Sequence, residues 1–248
     1  MRLYGLIGYP LQHSFSEKYF TEKFKRENIN NSKYTLFPLK CIDELPYLLD
    51  TNPNLRGFNV TIPYKEKIIP FLDDIHHDAK IIGAVNTVKI DFIEGERVLT
   101  GYNTDIFGFS ESLKKKLKYY HKNALILGTG GAAKAVAYVL KSLKIDFLFV
   151  SRRDELSFEM IRYSDITKSV ITDNLLIINT TPVGTFPYVD YYPYLPYHNL
   201  TNKHLLFDLI YNPSETLFIK KAKLQNAQTI NGFEMLYLQA EKSWEIYK

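Results

Sequence analysis

The sequence lacks the features that would place it in several classes of protein. Cys41 is the single cysteine among 248 residues, so no disulfide framework exists and a reducing compartment is expected. No apolar stretch is long enough to span a bilayer, and the apolar run at the start is too short for a signal peptide. The sequence shows no internal repeat and no low-complexity tail. We therefore expect a cytoplasmic globular protein without a membrane partner.

A strong imbalance of charge is also missing. The formal net charge is +4 and the pI is near 8.8, which is too mildly basic to indicate a nucleic-acid partner but is compatible with an anionic small ligand. Hydrophobic residues make up 46% of the chain and aromatic residues 15%, which is enough for a packed core. With 23% charged residues, the composition is far from that of a disordered chain.

Short apolar segments alternate with amphipathic ones along the whole sequence. Strands are predicted at 3–8, 34–38 and 55–60, and helices after Ser16, at 43–49 and at about 64–71. A second series opens with a helix near Asp105 and continues with strands at 124–127, 147–150, 175–179 and 205–209. The last segment, 233–247, is again predicted to be helical. This alternation predicts an α/β fold.

The segment 124–133 has the order strand, glycine turn, helix that is typical of dinucleotide binding. Gly128 permits the tight turn, Gly130 lets the backbone approach a pyrophosphate, and Ala133 lets helix and strand pack closely. Backbone N–H groups and the dipole at the helix start favour an anion. The segment predicts a cofactor site on a doubly wound, Rossmann-type sheet, and the alternative is an ordinary glycine-rich turn.

The residues after Val150 indicate which cofactor this is. An NAD-selective site usually places Asp or Glu there to hold the ribose 2′-hydroxyl. This chain has Ser151, Arg152 and Arg153, and guanidinium groups suit a 2′-phosphate because they form charge-assisted, often bidentate bonds to it. Asp154 is the one contrary feature. We predict NADP rather than NAD.

Lys65 and Asp105 lie where predicted strands give way to helices, which is where ligand sites of α/β folds gather. A Lys–Asp pair suits the reduction of a ketone, since an ammonium can hold the reacting oxygen and pass a proton to it. Each residue also has an ordinary interpretation. Lys65 is then a surface lysine at a helix start, and Asp105 is a helix N-cap.

Eight segments together resemble, in order and spacing, the signature motifs of the shikimate dehydrogenase family. They are residues 8–16, 59–65, 83–87, 103–105, 128–132, 179–184, 208–213 and 231–236. The resemblance covers essentially the whole chain. It implies two domains around a cleft: an N-terminal α/β substrate domain, residues 1–102 with the helix 232–248, and a Rossmann-type NADP-binding domain, residues 103–231.

The resemblance also implies an activity, the reversible NADPH-dependent reduction of 3-dehydroshikimate to shikimate in aromatic amino-acid biosynthesis. Lys65 would be the acid–base residue, with Asp105 as its partner. The implied substrate-binding residues are Ser14, Ser16, Thr61, Asn86, Tyr211 and Gln239. The implied cofactor-binding residues are Gly128, Thr129, Gly130, Gly131, Ala132, Ser151, Arg152, Arg153, Leu209 and Gly232. No metal ion is expected.

The chain departs from the family pattern at a few positions, and alternatives stay open. Glu17 replaces a usual proline, and Ser151-Arg152-Arg153 stands where Asn-Arg-Thr is usual. The alternatives are a quinate/shikimate dehydrogenase that uses NAD, a non-catalytic regulator that binds NADP or shikimate, and a folate-linked dehydrogenase. The sequence leaves the oligomeric state open, a homodimer included.

Overall fold

The structure is a computed structural model, and it describes residues 1–11, 14–152 and 159–248. The chain divides into two compact units, Met1–Thr104 with Ala240–Lys248, and Asp105–Gln239. The sequence placed the corresponding boundaries at 102/103 and 231/232. The structural division at 239/240 lies inside one helix, Phe233–Tyr247, whereas the sequence assigns this whole helix to the first domain. Met235 of this helix belongs to the core of the second unit and Trp244 to an aromatic cluster of the first.

The first unit is built on a six-stranded mixed sheet with the strand order β2-β1-β3-β5-β6-β4. Strands β1 and β3 run parallel, whereas β5 is antiparallel to both β3 and β6. The end of β1, the end of β3, the start of β5 and the end of β6 therefore meet at one edge of the sheet. The strands are β1 (Arg2–Gly8), β2 (Ser32–Pro38), β3 (Leu55–Val60), β4 (Asp74–Ile75), β5 (Thr87–Ile93) and β6 (Glu96–Tyr102). The helices are α1 (Phe15–Arg26), α2 (Leu45–Thr51) and α3 (His77–Ile82), with 3₁₀ turns at Ile42–Glu44 and Ile69–Phe71.

Alternation along β1 divides the core of the first unit between the two faces of its sheet. Leu3 and Ile7 belong to an apolar cluster on one face. Tyr4 and Leu6 belong to an aromatic cluster with Phe20, Phe24, Tyr34, Trp244 and Tyr247. The rings of Phe20 and Tyr34 stack with centroids 4.4 Å apart. The predicted helix with Phe20 and Phe24 on one face is confirmed as α1.

The helix predicted at about 64–71 is wrong. The segment forms consecutive turns and a short 3₁₀ helix at Ile69–Phe71. Pro70 explains the difference, because proline has no N–H to donate and its ring would clash with the carbonyl of Glu66 in an α-helix. The Tyr64 hydroxyl, which donates to the carbonyl of Leu39 at 2.7 Å, holds the start of the segment instead.

The second unit is a doubly wound sheet of parallel strands in the order β12-β11-β10-β7-β8-β9. The order reverses between β7 and β10, which is the switch point where such sheets bind ligands. The predicted Rossmann-type fold is confirmed. The strands are β7 (Asn123–Leu127), β8 (Asp146–Ser151), β9 (Met160–Arg162), β10 (Leu176–Asn179), β11 (Leu205–Asp208) and β12 (Gln228–Ile230). The helices are α4 (Asp105–Lys114), α5 (Gly131–Ser142), α6 (Lys168–Asp173), α7 (Leu217–Lys223) and the first turns of α8 (Phe233–Tyr247), with 3₁₀ turns at Tyr163–Asp165 and Tyr197–Asn199.

The central strands of this sheet are apolar without interruption because helices cover both faces. Leu125, Ile126, Ile177 and Ile178 are each fully buried. Within the described part of the chain, no helix combines the length and the apolar character needed to cross a membrane.

Candidate active site

Ser14 and Ser16 begin the helix that follows β1. Ser14 is the N-cap of α1, and its hydroxyl accepts a hydrogen bond from the backbone N–H of Ser16 at 3.2 Å. Both serines are half-buried. Burial raises the pKa of Tyr34 well above its ordinary value, and a hydrogen bond with the Ser16 side chain opposes this rise. The arrangement places two hydroxyls at a helix N-terminus, where an anionic group is favoured.

Thr61 and Lys65 follow β3 at the same edge of the sheet. The backbone N–H of Thr61 donates to Ile7 at the end of β1 at 3.0 Å, and a Cβ at Gly8 would collide with the Thr61 side chain. The carbonyl of Lys65 accepts from the N–H of Val85 at 2.7 Å, so the lysine backbone is fixed one residue from Asn86. The Lys65 side chain is half-buried.

Asn86, just before β5, takes part in a buried polar network. Its Oδ1 accepts from the backbone N–H of Thr104 at 2.7 Å. The Thr87 hydroxyl lies 2.8 Å from Oγ of Ser243 and 3.1 Å from Nδ2 of Asn59. Asn59 in turn accepts from the hydroxyl of Tyr34 at 2.9 Å. Hydrogen bonds therefore run from the region of Ser16 to that of Asn86.

Sequence reasoning gave no role to Asn59, Tyr34 or Ser243. The position of Ser243 carried a signal, since it stands three residues after Ala240 and four before Tyr247, on the stripe of α8 that is buried. A polar residue at such a position is a candidate for a buried hydrogen bond. Tyr34 and Asn59 gave no such signal, because strands admit Tyr and Asn for many reasons.

In the second unit, the structure brings Asp105 and Gln239 onto neighbouring helices. Asp105 is the first residue of α4 and is only 6% exposed. One turn later, a Cβ at Gly108 would lie 2.5 Å from the carbonyl oxygen of Met235 and 3.2 Å from Cβ of Gln239. The absence of a side chain at Gly108 is thus what lets α4 approach the start of α8.

The predicted glycine turn joins β7 to α5. Gly128 has φ +106°, and a Cβ there would lie 2.9 Å from Oγ1 of Thr180, the residue after β10. Gly130 is the N-cap of α5, and a Cβ there would meet no described atom within 4 Å. The turn, Thr129 included, leads into Gly131 and Ala132 in the first turn of the helix. Open space before a helix N-terminus fits a dinucleotide phosphate.

The predicted 2′-phosphate residues begin at the end of β8. Ser151 is the last residue of β8 and is 5% exposed, whereas Arg152 is exposed. Burial raises the pKa of Tyr163, and the positive charge of Arg152 opposes this rise. The guanidinium of Arg152 is therefore close enough to Tyr163 to affect its pKa. Arg153, and with it Asp154, lies outside the described residues.

Leu209, Tyr211 and Gly232 come together beyond the carboxyl end of β11. The N–H of Gly232 donates to the carbonyl of Ile210 at 3.0 Å, and a Cβ at Gly232 would collide with the carbonyl of Leu209. The N–H of Leu209 donates to Asn179 at the end of β10 at 3.0 Å. Tyr211 is half-buried, and burial raises its pKa. Leu209 therefore lies beside the end of β10, the strand that borders the switch point.

Asp208, the last residue of β11, is a fully buried carboxylate to which the sequence assigned no role. Its oxygens accept from Asn179 Nδ2 at 3.0 Å, from the N–H of Ile210 at 3.2 Å and from Thr216 Oγ1 at 2.5 Å. Burial raises the pKa of Asp208 to about 6, and the hydrogen bond from Thr216 limits the rise.

The candidate residues thus form two sets, one in each unit. The set of the first unit consists of Ser14, Ser16, Thr61, Lys65 and Asn86 at one edge of the mixed sheet. The set of the second unit lies around the switch point and at the start of α4 and α8; it holds Asp105, Tyr211, Gln239 and the described cofactor residues. Within each unit, the structure collects residues that are far apart in sequence at one end of a sheet.

Comparison with known proteins supports the resemblance to the shikimate dehydrogenase family. Residues 6–88 match the family model of the shikimate dehydrogenase substrate binding domain. The NADP⁺ shikimate dehydrogenase of Methanosphaera stadtmanae is 38% identical, with 98% of this chain and 90% of that protein covered.

Solved structures match along the whole chain. Shikimate 5-dehydrogenase of Thermus thermophilus, solved with NADP(H) and shikimate, has a TM-score of 0.85 and 28% identity over 100% of this chain and 94% of that one. Quinate dehydrogenase of Corynebacterium glutamicum, solved with NAD, also has a TM-score of 0.85, with 26% identity over 100% of this chain and 93% of that one. The resemblance seen in the eight motifs is confirmed by the identity and coverage of the relatives, and the chain belongs to the shikimate dehydrogenase family.

Proposed function

We propose that the protein is an NADP-dependent shikimate dehydrogenase that catalyses the reversible reduction of 3-dehydroshikimate to shikimate. The observation that carries the proposal is the set of Ser14, Ser16, Thr61, Lys65 and Asn86 at one sheet edge, in a chain that also holds a dinucleotide turn. The Methanosphaera stadtmanae relative, at 38% identity, is named for this activity and this cofactor.

In this proposal, polar side chains hold and orient the substrate. Ser14 and Ser16 donate to the carboxylate, helped by the N-terminus of α1. Thr61, Asn86, Tyr211 and Gln239 bind the carboxylate or the ring hydroxyls. The network that fixes Asn86 keeps its amide in one orientation, so the ring is presented in a defined way.

Lys65 carries the proton transfer. The cofactor, when bound, would supply a hydride for the carbonyl carbon. The Lys65 ammonium gives its proton to the carbonyl oxygen, so that the ketone becomes an alcohol. In the direction of shikimate oxidation, the neutral lysine takes that proton back. Asp105, the carboxylate that the family pairs with this lysine, is the second proposed catalytic residue.

The cofactor residues present in the chain fit NADP. The space before Gly130 and the start of α5 suits the pyrophosphate, with Gly128, Thr129, Gly131 and Ala132 forming the turn. Arg152 and Ser151 suit the 2′-phosphate. Arg153 and the nicotinamide-side residues Leu209 and Gly232 complete the proposed set.

One spectrophotometric assay tests the proposal. Shikimate or quinate is offered with NADP or NAD, and reduced nicotinamide is followed by its absorbance. We expect turnover with shikimate and NADP, and little with the other three combinations. No turnover with shikimate and either cofactor would contradict the proposed activity.

The nearest alternative is a quinate dehydrogenase that uses NAD. The fold alone does not separate the two functions, because the quinate and shikimate enzymes match with the same TM-score. Arg152 after β8 favours NADP. A non-catalytic regulator is the second alternative, and the presence of both Lys65 and Asp105 argues against it.

A further inference from the structure

Asp208 holds both ends of a loop that carries proposed ligand contacts. The loop, residues 209–216, runs from the end of β11 to the N-cap of α7 and contains Leu209 and Tyr211. Oδ1 of Asp208 accepts from the N–H of Ile210 at the beginning of the loop, at 3.2 Å. Oδ2 accepts from the hydroxyl of Thr216 at its end, at 2.5 Å. One side chain therefore fixes the span within which Tyr211 lies.

The same carboxylate reaches the neighbouring strand β10, which borders the switch point. Asn179 at the end of β10 donates from Nδ2 to Oδ1 of Asp208 at 3.0 Å. Oδ1 of Asn179 accepts from the hydroxyl of Thr181 at 2.6 Å and from its N–H at 3.1 Å. Thr181 in turn lies against the glycine turn, since a Cβ at Gly128 would be 3.0 Å from its Cγ2. A chain of contacts thus runs from Gly128 to the loop of Tyr211.

A buried carboxylate is a costly way to close a loop, because burial disfavours the charged form. Asp208 is 0% exposed, and Asn179 likewise. Backbone hydrogen bonds already tie the loop at Gly232 to Ile210, so the fold does not depend on Asp208 alone. An ionisable group buried at such a cost is a candidate for a role beyond packing.

We propose that Asp208 is a positioning residue, which acts through Asn179 and the 209–216 loop to hold Tyr211 at a fixed position relative to the glycine turn. This inference deepens the proposed function and rests on it for the identity of the substrate. Asp208 itself touches neither substrate nor cofactor in this scheme. Its effect reaches the reaction through the place that it gives to Tyr211.

The first test compares Asp208→Ala with wild type in the shikimate–NADP assay. We expect the KM for shikimate to rise at least about tenfold and kcat to fall, because Tyr211 loses its fixed place. We expect the KM for NADP to stay within about twofold, since the glycine turn keeps its own backbone contacts and Leu209 keeps its backbone bond to Asn179. Glu215→Gln is the matched control, since it removes an exposed carboxylate of the same loop that pairs with Lys223. This control should leave both KM values unchanged.

A double-mutant cycle with Tyr211→Phe separates positioning from a merely structural role. If Asp208 acts through Tyr211, the loss caused by Asp208→Ala becomes much smaller in the Tyr211→Phe background. Fully additive effects would overturn the proposal. So would a folded Asp208→Ala protein with wild-type kinetics for both ligands.

Two further measurements keep the proposal testable in other circumstances. If Asp208→Ala does not fold, Thr216→Val removes the hydrogen bond to Asp208 together with the capping bond from Ile219, and Thr216→Ser can retain both. The valine variant should then raise the KM for shikimate, and the serine variant should not; equal effects of the two would overturn the proposal.

If wild type shows no activity with shikimate, the proposed function fails, and fluorine NMR of 3-fluorotyrosine-labelled protein decides the inference. The Tyr211 resonance, assigned by its loss in Tyr211→Phe, should shift or broaden in the Asp208 or Thr216→Val variant; an unchanged resonance would refute the positioning role.

Discussion

At the scale of single residues, Lys65 combines a fixed backbone with a partly accessible side chain. Its carbonyl is bonded to Val85, while its ammonium-bearing chain is half-buried beside the sheet edge that collects the serines and Asn86. The backbone of Lys65 is thus held in place while its side chain stays partly accessible, as a proton-transfer residue requires. The lysine two positions further on, Lys67, is exposed and offers a comparison within the same turn.

We expect Lys65→Ala to lower kcat by about 10² to 10⁴-fold, the range of general acid–base help, with a smaller effect on the KM for shikimate. Steady-state kinetics in both directions measure this. Lys67→Ala is the control and should be close to wild type. A kcat near wild type for Lys65→Ala would remove this lysine from the mechanism.

Arg152 is the residue on which the choice of cofactor depends most. We expect Arg152→Ala to raise the KM for NADPH far more than the KM for NADH, because only NADPH carries the 2′-phosphate that the guanidinium would bind. The comparison of the two cofactors with the same variant is its own control. Equal effects on both would refute the assignment of Arg152 to that phosphate.

At the scale of elements, the turn between β7 and α5 contains two glycines, Gly128 and Gly130, that differ in their surroundings. Gly128 has a positive φ and close neighbours, so a side chain there would strain the fold itself. Gly130 has φ −80°, which any residue adopts, and a Cβ there would meet only open space. Neither the φ of Gly130 nor a close neighbour requires glycine there, so its place as the N-cap of α5 and the proposed pyrophosphate are the reasons that remain.

We expect Gly130→Ala to lose no more than about 1 kcal/mol of stability, the usual cost of alanine at an N-cap, but to bind NADP at least about tenfold more weakly, since its methyl group would take space that the pyrophosphate needs. Thermal unfolding without ligand and a cofactor titration measure the two parts. Gly95→Ala is a control in a turn of the first unit, where φ is +88° and space is open. It should lower stability without affecting NADP affinity. Unchanged NADP affinity in Gly130→Ala would contradict the predicted cofactor site.

Asp208 makes the stability of the β11 region depend on pH. Its pKa is raised from 3.8 to about 6 by burial, so between these values the folded state keeps a proton that the unfolded state has lost. The contribution of this group to the free energy of unfolding is therefore largest at low pH and is lost as pH rises through about 6. At about 1.4 kcal/mol per unit, the shift from 3.8 to about 6 is worth roughly 3 kcal/mol.

The measurement is urea unfolding of wild type and Asp208→Asn at about pH 4.5 and about pH 7. The asparagine cannot ionise, so wild type should lose stability relative to the variant as pH rises. A difference between the two proteins that is the same at both pH values would show that Asp208 does not titrate in this range.

Elements with a clear periodicity could be predicted from the sequence, and the others could not. The strands at 3–8 and 124–127 and the helix with Phe20 and Phe24 were within reach, because burial on one or both faces leaves a plain pattern. The short elements α6 and α7 and the edge strands β9 and β12 were missed, since they lack the continuous apolar run that marks the equally short but fully buried β10 and β11.

Some residues of the candidate site could likewise be predicted from the sequence, and others could not. Residues in motifs, such as Lys65 and Gly128, could be named because their type and local order are informative. Asp208 stood in a quoted motif, but nothing in its neighbours along the sequence shows that Asn179 and Thr216 surround it. Partners that meet only through the tertiary fold have no local signature.

At the scale of the whole molecule, the last residues of the chain complete the core of the first unit. Lys23 of α1 has a side chain that is 4% exposed, and its Nζ bonds Glu241 at 2.7 Å and Glu27 at 2.8 Å. Trp244, the single tryptophan, packs beside them against Tyr4 and Phe24. Residues about 220 positions apart in sequence thus share an ion pair whose lysine is buried and whose glutamate is half-buried.

We expect Glu241→Gln to lower the free energy of unfolding by about 1 to 3 kcal/mol, because the buried ammonium of Lys23 loses a charged partner. Urea unfolding followed by the emission of Trp244 reports on this unit. Glu245→Gln is the control, since Glu245 is exposed and pairs with the exposed Lys242. Equal losses in the two variants would show that the Lys23–Glu241 pair has no special weight.

The margins of the two sheets have a consequence for behaviour in concentrated solution. Among the described residues, β9 and β12 at the margins of the second sheet have three residues each, and β4 at one margin of the first has two. An unpaired row of backbone groups is a template on which another molecule adds a strand, and such short rows offer almost none. The remaining margin, β2, is longer but carries Lys33 and ends at Pro38, both of which hinder such addition. Fibril growth by edge-to-edge pairing of folded molecules therefore finds few points of attachment on this protein.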